Sequence, residues 1–154
     1  MNNYEQLLNE YDDKVCVVEK RFKSKAKGLC KGKKIGISKD ITTSSEKACV
    51  LSEELGHYYT TVGNIINLSD AQNRKQERQA RLWAYNNRIG LYGLIRAYEH
   101  GCTSRYDIAE YLNVTEEFLE DAVNTYRDKY GVYTTIDNYI VYFIPRLIVS
   151  KKFE

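Results

Sequence analysis

The sequence predicts a mainly helical α+β fold with a small N-terminal β-sheet, a helical C-terminal part and a terminal β-hairpin. Apolar residues recur at helical spacing through most of the 154 residues. Two short β-rich runs, residues 15–18 and 34–38, lie near the N-terminus. Two more, residues 132–135 and 139–144, are joined by the turn-forming residues 136–138, which is typical of a hairpin.

The N-terminal third is predicted to combine one short helix with strands. Residues 3–11 carry apolar side chains at helical spacing, which predicts a first helix. Residues 20–34 hold eight Lys and Arg residues and two glycines, and we expect turns there. Residues 34–38 read as a strand with Ile35 and Ile37 on one face. We expect this strand to lie at a sheet edge, where it binds a substrate peptide by strand addition or is simply protected by lysines.

The remaining segments are predicted to be helical, with caps that mark where the helices begin. Thr43 and Glu46 have the spacing of a capping box, which predicts a helix over residues 44–62. Further along the chain we expect a stop at Gly63, a connection over 64–70, helices over 71–89 and 91–100, a helix over 106–112 capped by Ser104, and a helix capped by Thr115 that ends at Gly131.

Composition excludes several classes of protein. The 23 basic and 21 acidic residues give a formal net charge of +2, too weak for a chain that coats DNA. The N-terminus lacks the apolar segment of a signal peptide, and no apolar run is long enough to span a membrane. The four cysteines include no Cys-x-x-Cys pair, so we expect free thiols and a cytoplasmic location.

The segment Ser52-Glu53-Glu54-Leu55-Gly56-His57 is the part of the chain that indicates chemistry. Residues 53 and 57 are four positions apart, so on a helix they point the same way, one turn apart. This spacing lets one helix give two ligands to one metal ion, while Glu54 serves as general base beside it. The best candidate for a third ligand is Glu77, since Ala80 and Ala84 on the same stripe would let the two helices pack closely.

Residues 46–60 and 76–86 resemble the active-site helix and the second metal-binding helix of the ImmA/IrrE family of metallopeptidases. The resemblance implies Glu53, His57 and Glu77 as metal ligands, Glu54 as general base, and zinc as the metal. It implies a metallopeptidase-like core over residues 1–90. Residues 91–154 would be a helical extension, with a helix-turn-helix-like pair and the terminal hairpin, packed on the core. The implied task is cleavage of a cognate transcriptional repressor, which relieves repression of a phage or mobile element.

One position departs from the family pattern, because Glu53 stands where the usual His-Glu-x-x-His motif has its first histidine. The additional negative charge weakens the ion as a Lewis acid and makes the site more tolerant of manganese or iron. The competing interpretation is that Glu53 and Glu54 are solvated helix charges and the metal site is vestigial. Any of Tyr58, Tyr59 and Tyr85 could donate a hydrogen bond to the reacting carbonyl, and the sequence does not select one.

Two rival functions follow from other segments. A non-catalytic regulator of the same fold would bind a repressor protein, most simply a helix-turn-helix repressor, without cleaving it. A nucleic-acid-binding module would use the lysines of residues 20–34 and the helix-turn-helix-like segment. Residues 14–47 carry a local charge of +8, which suits a nucleic-acid patch, a surface that steers an acidic substrate, or simply a solvated face. Residues 104–126 resemble a helix-turn-helix, but residues 104–131 carry a local charge of −4, so direct nucleic-acid binding through this segment is not expected.

Overall fold

The computed structural model describes residues 1–61 and 70–153, which contain six helices and six strands. They divide into two compact units, Met1–Ala84 and Tyr85–Glu154. The first unit contains α1 (Asn3–Glu10), β1 (Cys16–Lys20), β2 (Gly28–Lys31), β3 (Lys34–Ser38), α2 (Ser44–Thr60) and most of α3 (Asp70–Arg88). The second contains α4 (Gly90–Glu99), α5 (Arg105–Leu112), α6 (Glu116–Tyr130), β4 (Tyr133–Ile136), β5 (Tyr139–Tyr142) and β6 (Ile148–Lys151).

The sheet of the first unit has the strand order β1-β3-β2, with β1 parallel and β2 antiparallel to β3. The expectation that residues 34–38 form an edge strand was therefore wrong. Because lysines and glycines dominate residues 20–34, turns were predicted there and strand β2 was not. Once β2 pairs with β3 on one side and β1 on the other, the strand over residues 34–38 becomes the central one.

The core of the first unit lies between this sheet and α2. Ile35 and Ile37 of β3 are buried, as their alternation predicted, and Leu51 and Leu55 of α2 are buried in the same apolar cluster. Helix α2 begins where predicted, since the side chain of Thr43 accepts a hydrogen bond from the backbone N–H of Glu46. This packing fixes the orientation of α2 relative to the sheet.

The second unit packs three helices with a three-stranded antiparallel sheet of order β4-β5-β6. Ser104 and Thr115 cap α5 and α6 as predicted, and Asn113 makes the turn between them with a positive φ of 58°. The hairpin of β4 and β5 is confirmed, but the sequence missed β6. The hydroxyl of Tyr126 accepts a hydrogen bond from the N–H of Gly90, the first residue of α4.

The mainly helical α+β class is thus confirmed, and the expected helices are present within one or two residues of their predicted bounds. Gly63 and residues 64–69 of the connection expected over 64–70 lie outside the described residues, and Asp70 is the first residue of α3. The boundary expected at residue 90, and the packing of residues 91–154 on the core, remain predictions. None of the four cysteines forms a disulfide bond. Within the described chain, no helix is both long enough and apolar enough to cross a bilayer.

Candidate active site

A cavity of about 650 Å³ opens between the second half of α2, the first half of α3 and strand β2. Glu54, His57 and Tyr58 of α2 line it, together with Glu77 of α3 and the residues Gly28–Gly32. The predicted base and two of the three predicted ligands therefore face one space. Residues 53, 54 and 57 lie on α2 as the motif required, since the helix continues without a break from Ser44 to Thr60.

The carboxyl group of Glu54 lies against β2 at Gly28, where a residue with a Cβ atom would not fit. A Cβ at Gly28 would lie 2.8 Å from Cγ1 of Val50 and 2.9 Å from Cγ of Glu54. Burial raises the pKa of Glu54 to about 7, and the negative charges of Glu53 and Glu77 act in the same direction. A carboxyl group with a pKa near neutrality can both accept and return a proton, which is what a general base needs.

The imidazole of His57 and the carboxylate of Glu77 meet across the two helices. His57 Nε2 lies 3.4 Å from Glu77 Oε1, and the two side chains are 27% and 52% exposed. The helices come this close because Gly56 and the fully buried Ala80 face each other: an added Cβ at Gly56 would overlap the carbonyl oxygen of Ala80 and lie 2.9 Å from its carbonyl carbon. The close packing expected from the alanines of α3 is present at Ala80, with Gly56 as its partner.

The second carboxylate oxygen of Glu77 is held from its own helix. Arg81, one turn further along α3, places Nε 3.8 Å from Glu77 Oε2. This exposed pair contributes little to stability. Its effect is to orient the carboxylate, because one oxygen is directed to Arg81 while the other faces His57.

His57 and Glu77 fit the requirements of a shared divalent cation. In a tetrahedral zinc site with bonds of about 2.1 Å, neighbouring ligand atoms lie about 3.4 Å apart. This matches the 3.4 Å between His57 Nε2 and Glu77 Oε1. Both side chains are open to solvent, so an ion can reach them.

The third predicted ligand, Glu53, is half-buried on α2, and its charge acts on Glu54. Across residues 1–61 and 70–153, no three His, Cys, Asp or Glu side chains lie close enough together to hold one ion. The convergence of Glu53 with His57 and Glu77 therefore remains a prediction.

The structure distinguishes the three tyrosines that the sequence left open. Tyr58 lines the cavity. Tyr59 instead stacks on Trp83 with ring centroids 5.2 Å apart, and Tyr85 is buried edge-on against Phe118 in the second unit. Only Tyr58 of these three faces the space that contains Glu54 and His57.

Several residues that line the cavity were not anticipated from the sequence. Asn73 and Gln76 lie on the same side of α3 as Glu77, which helical spacing could have indicated. Cys30 of β2 also lines the cavity, and burial, together with the charge of Glu54, raises the pKa of its thiol to about 11. A thiol with that pKa is protonated at neutral pH and is therefore a poor nucleophile.

Comparison with known protein families identifies a match that covers most of the chain. Residues 8–124 match the family model Peptidase_M78, described as the IrrE N-terminal-like domain. No curated protein and no solved structure matches the chain significantly. The matched range covers about three quarters of the chain and includes both helices that line the cavity. The chain therefore belongs to the IrrE N-terminal-like domain family, which is a family of the metallopeptidase type.

Proposed function

We propose that this chain is a metal-dependent endopeptidase that cleaves a cognate transcriptional repressor and thereby relieves repression of a phage or mobile element. The observation that carries the proposal is the meeting of His57 and Glu77 at 3.4 Å in a cavity that also contains the half-buried carboxyl group of Glu54. Family membership supports the reaction class. Because a repressor works on DNA, the proposed substrate would place the protein in the cytoplasm.

His57 and Glu77 would hold the ion, with Glu53 as the predicted third ligand. Zinc is the expected metal, and the carboxylate-rich donor set also suits manganese or iron. When bound, such a cation polarises the scissile carbonyl group and stabilises the negative charge that develops on its oxygen.

Glu54 and Tyr58 supply the remaining groups that the reaction needs. Glu54 would take a proton from the attacking water molecule and pass it to the amine that leaves. The hydroxyl group of Tyr58 would donate a hydrogen bond to the developing oxyanion. Both side chains line the same cavity, which supports these roles.

Strand β2 would align the substrate. It pairs with β3 on one side, and no other strand of the described chain pairs with its opposite edge. Residues of β2 also line the cavity. An extended peptide could therefore add to β2 through backbone hydrogen bonds, which would place one peptide bond beside Glu54.

The test is cleavage of a purified helix-turn-helix repressor encoded beside this chain. With zinc or manganese added, wild-type protein should give discrete fragments, a chelator should stop the reaction, and Glu54→Gln should lower its rate by at least a thousandfold while the repressor still binds. Glu117→Gln, the same change on an exposed acid of α6, should cleave like wild type. Equal cleavage by the Glu54→Gln and wild-type proteins would refute the proposed role of Glu54.

The rival candidate, a non-catalytic regulator, is favoured by one observation, the glutamate at position 53 in place of a histidine. It predicts that wild type and Glu54→Gln relieve repression equally, with the repressor intact, in the presence of a chelator. Scoring DNA release and fragment formation in the same reaction separates the two functions.

A further inference from the structure

The outer face of the β1-β3-β2 sheet, on the side away from α2, carries a row of apolar groups. Val18, Gly36 and Leu29 are in register across the three strands. Val18 and Leu29 are each 52% exposed, although both are large apolar residues. The ring of Phe22 lies over Gly36, with its Cζ 3.1 Å from the position a Cβ would take. Since strands are spaced by about 4.8 Å, this row is about 10 Å long.

Lysines flank the apolar row on both sides. The neighbouring row on the outer face contains Lys34 of β3 and Lys31 of β2, which are paired in register. On the other side lies Lys20 of β1, whose Nζ is 5.6 Å from the centroid of the Phe22 ring. Residues two apart on a strand are separated by about 6.7 Å, so the two basic rows lie about 13 Å from each other. We call these six residues (Val18, Lys20, Leu29, Lys31, Lys34, Gly36) together with Phe22 the outer sheet platform.

The charge of this platform is not balanced by the acids near it. Within the described residues, Lys27 contacts Glu46 and Lys47 contacts Glu19, whereas none of the three platform lysines forms an ion pair. The outward-facing positions of the three strands include no acidic residue. An unbalanced positive surface with an exposed apolar centre is typical of an interaction site.

We propose that the outer sheet platform binds an acidic amphipathic helix of a partner protein. An α-helix is about 10 Å wide, so its apolar stripe can lie on the row of Val18 and Leu29 while acids on both flanks reach the lysines about 13 Å apart. Duplex DNA would satisfy the lysines but would leave the apolar row against phosphates. The sheet would then be covered by a helix on each face, the usual way in which a sheet buries both sides.

The platform adjoins the candidate active site but does not depend on it. Leu29 and Lys31 also line the cavity, so a helix bound to the platform would end beside the mouth of that cavity. The proposal concerns binding alone and holds whether or not the chain cleaves peptides.

The test begins with a random 16-residue peptide library displayed on phage and selected on the full chain in the presence of a chelator. Clones should be collected that bind wild type but not the variant Lys20→Glu/Lys34→Glu. The matched control, Lys151→Glu/Lys152→Glu, makes the same change in net charge, from +2 to −2, on the second unit. Thermal unfolding should confirm that both variants are folded.

We expect the selected clones to be acidic, with apolar residues three and four positions apart. A synthetic peptide of that sequence should become helical on binding, with a Kd of roughly 1–100 µM. The Kd should rise at least tenfold in Lys20→Glu/Lys34→Glu and about fivefold in Val18→Ser, and it should stay within about twofold in the control.

Three results would overturn the proposal. One is that no clone depends on Lys20 and Lys34. Another is that the control variant loses binding to the same extent, which would indicate a response to net charge alone. The third is that a 20-base-pair DNA duplex or vesicles containing phosphatidylserine bind through the same lysines more tightly than the selected peptide.

Discussion

Replacing Gly56 by alanine should separate the two helices that carry His57 and Glu77. The added Cβ would lie 2.9 Å from the carbonyl carbon of Ala80, whereas ordinary contacts begin at 3.4 Å, so α3 must move by at least about 0.5 Å. The carbonyl oxygen of Ala80 lies even closer to the added Cβ and therefore requires a larger movement of α3. Because metal–ligand distances tolerate about 0.2 Å, this movement is enough to disrupt a shared site. We expect the affinity for zinc to fall at least tenfold.

The same substitution should also destabilise the protein, although alanine is the better helix former. Overpacking against a backbone atom costs about 1–3 kcal/mol, and the gain in helix propensity is about 1 kcal/mol. The expected net change is a loss of up to about 2 kcal/mol. Gly93→Ala in α4 is the matched control, since its added Cβ meets Leu112 at an ordinary 3.5 Å. That variant should gain up to about 1 kcal/mol and leave zinc affinity unchanged.

The assay combines zinc titration against a competing chelator with urea unfolding of metal-free protein. Wild type, Gly56→Ala and Gly93→Ala are compared under the same conditions. If Gly56→Ala matches Gly93→Ala in stability and binds zinc like wild type, the close approach of α2 and α3 does not set the geometry of the site, and the reasoning fails.

Three further variants probe the surroundings of the site. Gly28→Ala should lower the rate of peptide cleavage at least tenfold, because the added Cβ displaces Glu54; a wild-type rate would contradict this packing argument. Folding raises the pKa of Glu54 from 4.5 to about 7, so the ionised carboxylate is less favourable in the folded protein than in the unfolded one. From pH 5 to pH 8, metal-free wild type should therefore lose on the order of 3 kcal/mol of unfolding free energy that Glu54→Gln does not lose. Identical pH dependence in urea unfolding would show that the carboxyl group is not desolvated. Arg81→Gln should change stability by less than about 0.5 kcal/mol yet weaken zinc binding roughly tenfold in a chelator competition, and an unchanged affinity would mean that Arg81 does not orient Glu77.

The helices and their starting points were predictable because their signals are local. Thr43, Ser104 and Thr115 each accept a hydrogen bond from a backbone N–H three residues later, which depends only on the neighbouring sequence. The placement of residues 54 and 57 in one cavity was predictable for the same reason, since helical spacing alone turns these side chains to the same side.

Strand pairing was less predictable because it depends on residues distant in the sequence. Strand β2 is short, and Gly28 and the lysines on either side of it favour a turn. Its strand conformation depends on pairing with β3. Strand β6 follows Pro145, at which the sequence-based hairpin ended, and it is stabilised by pairing with β5. The alanines of α3 predicted a close approach of two helices. The role of Gly56 as the contact point required coordinates, because a glycine in a helix has no sequence signal that identifies its partner.

The most direct test of a shared metal site is the metal content of protein purified without chelator and supplied with zinc, measured by mass spectrometry of the elements. Wild type should hold about one divalent ion per chain after dialysis, and Glu117→Ala, an acid far along the sequence from the site, should do the same. Glu77→Ala should retain less than about a tenth as much. If wild type holds none, or Glu77→Ala holds as much as wild type, His57 and Glu77 do not form a metal site.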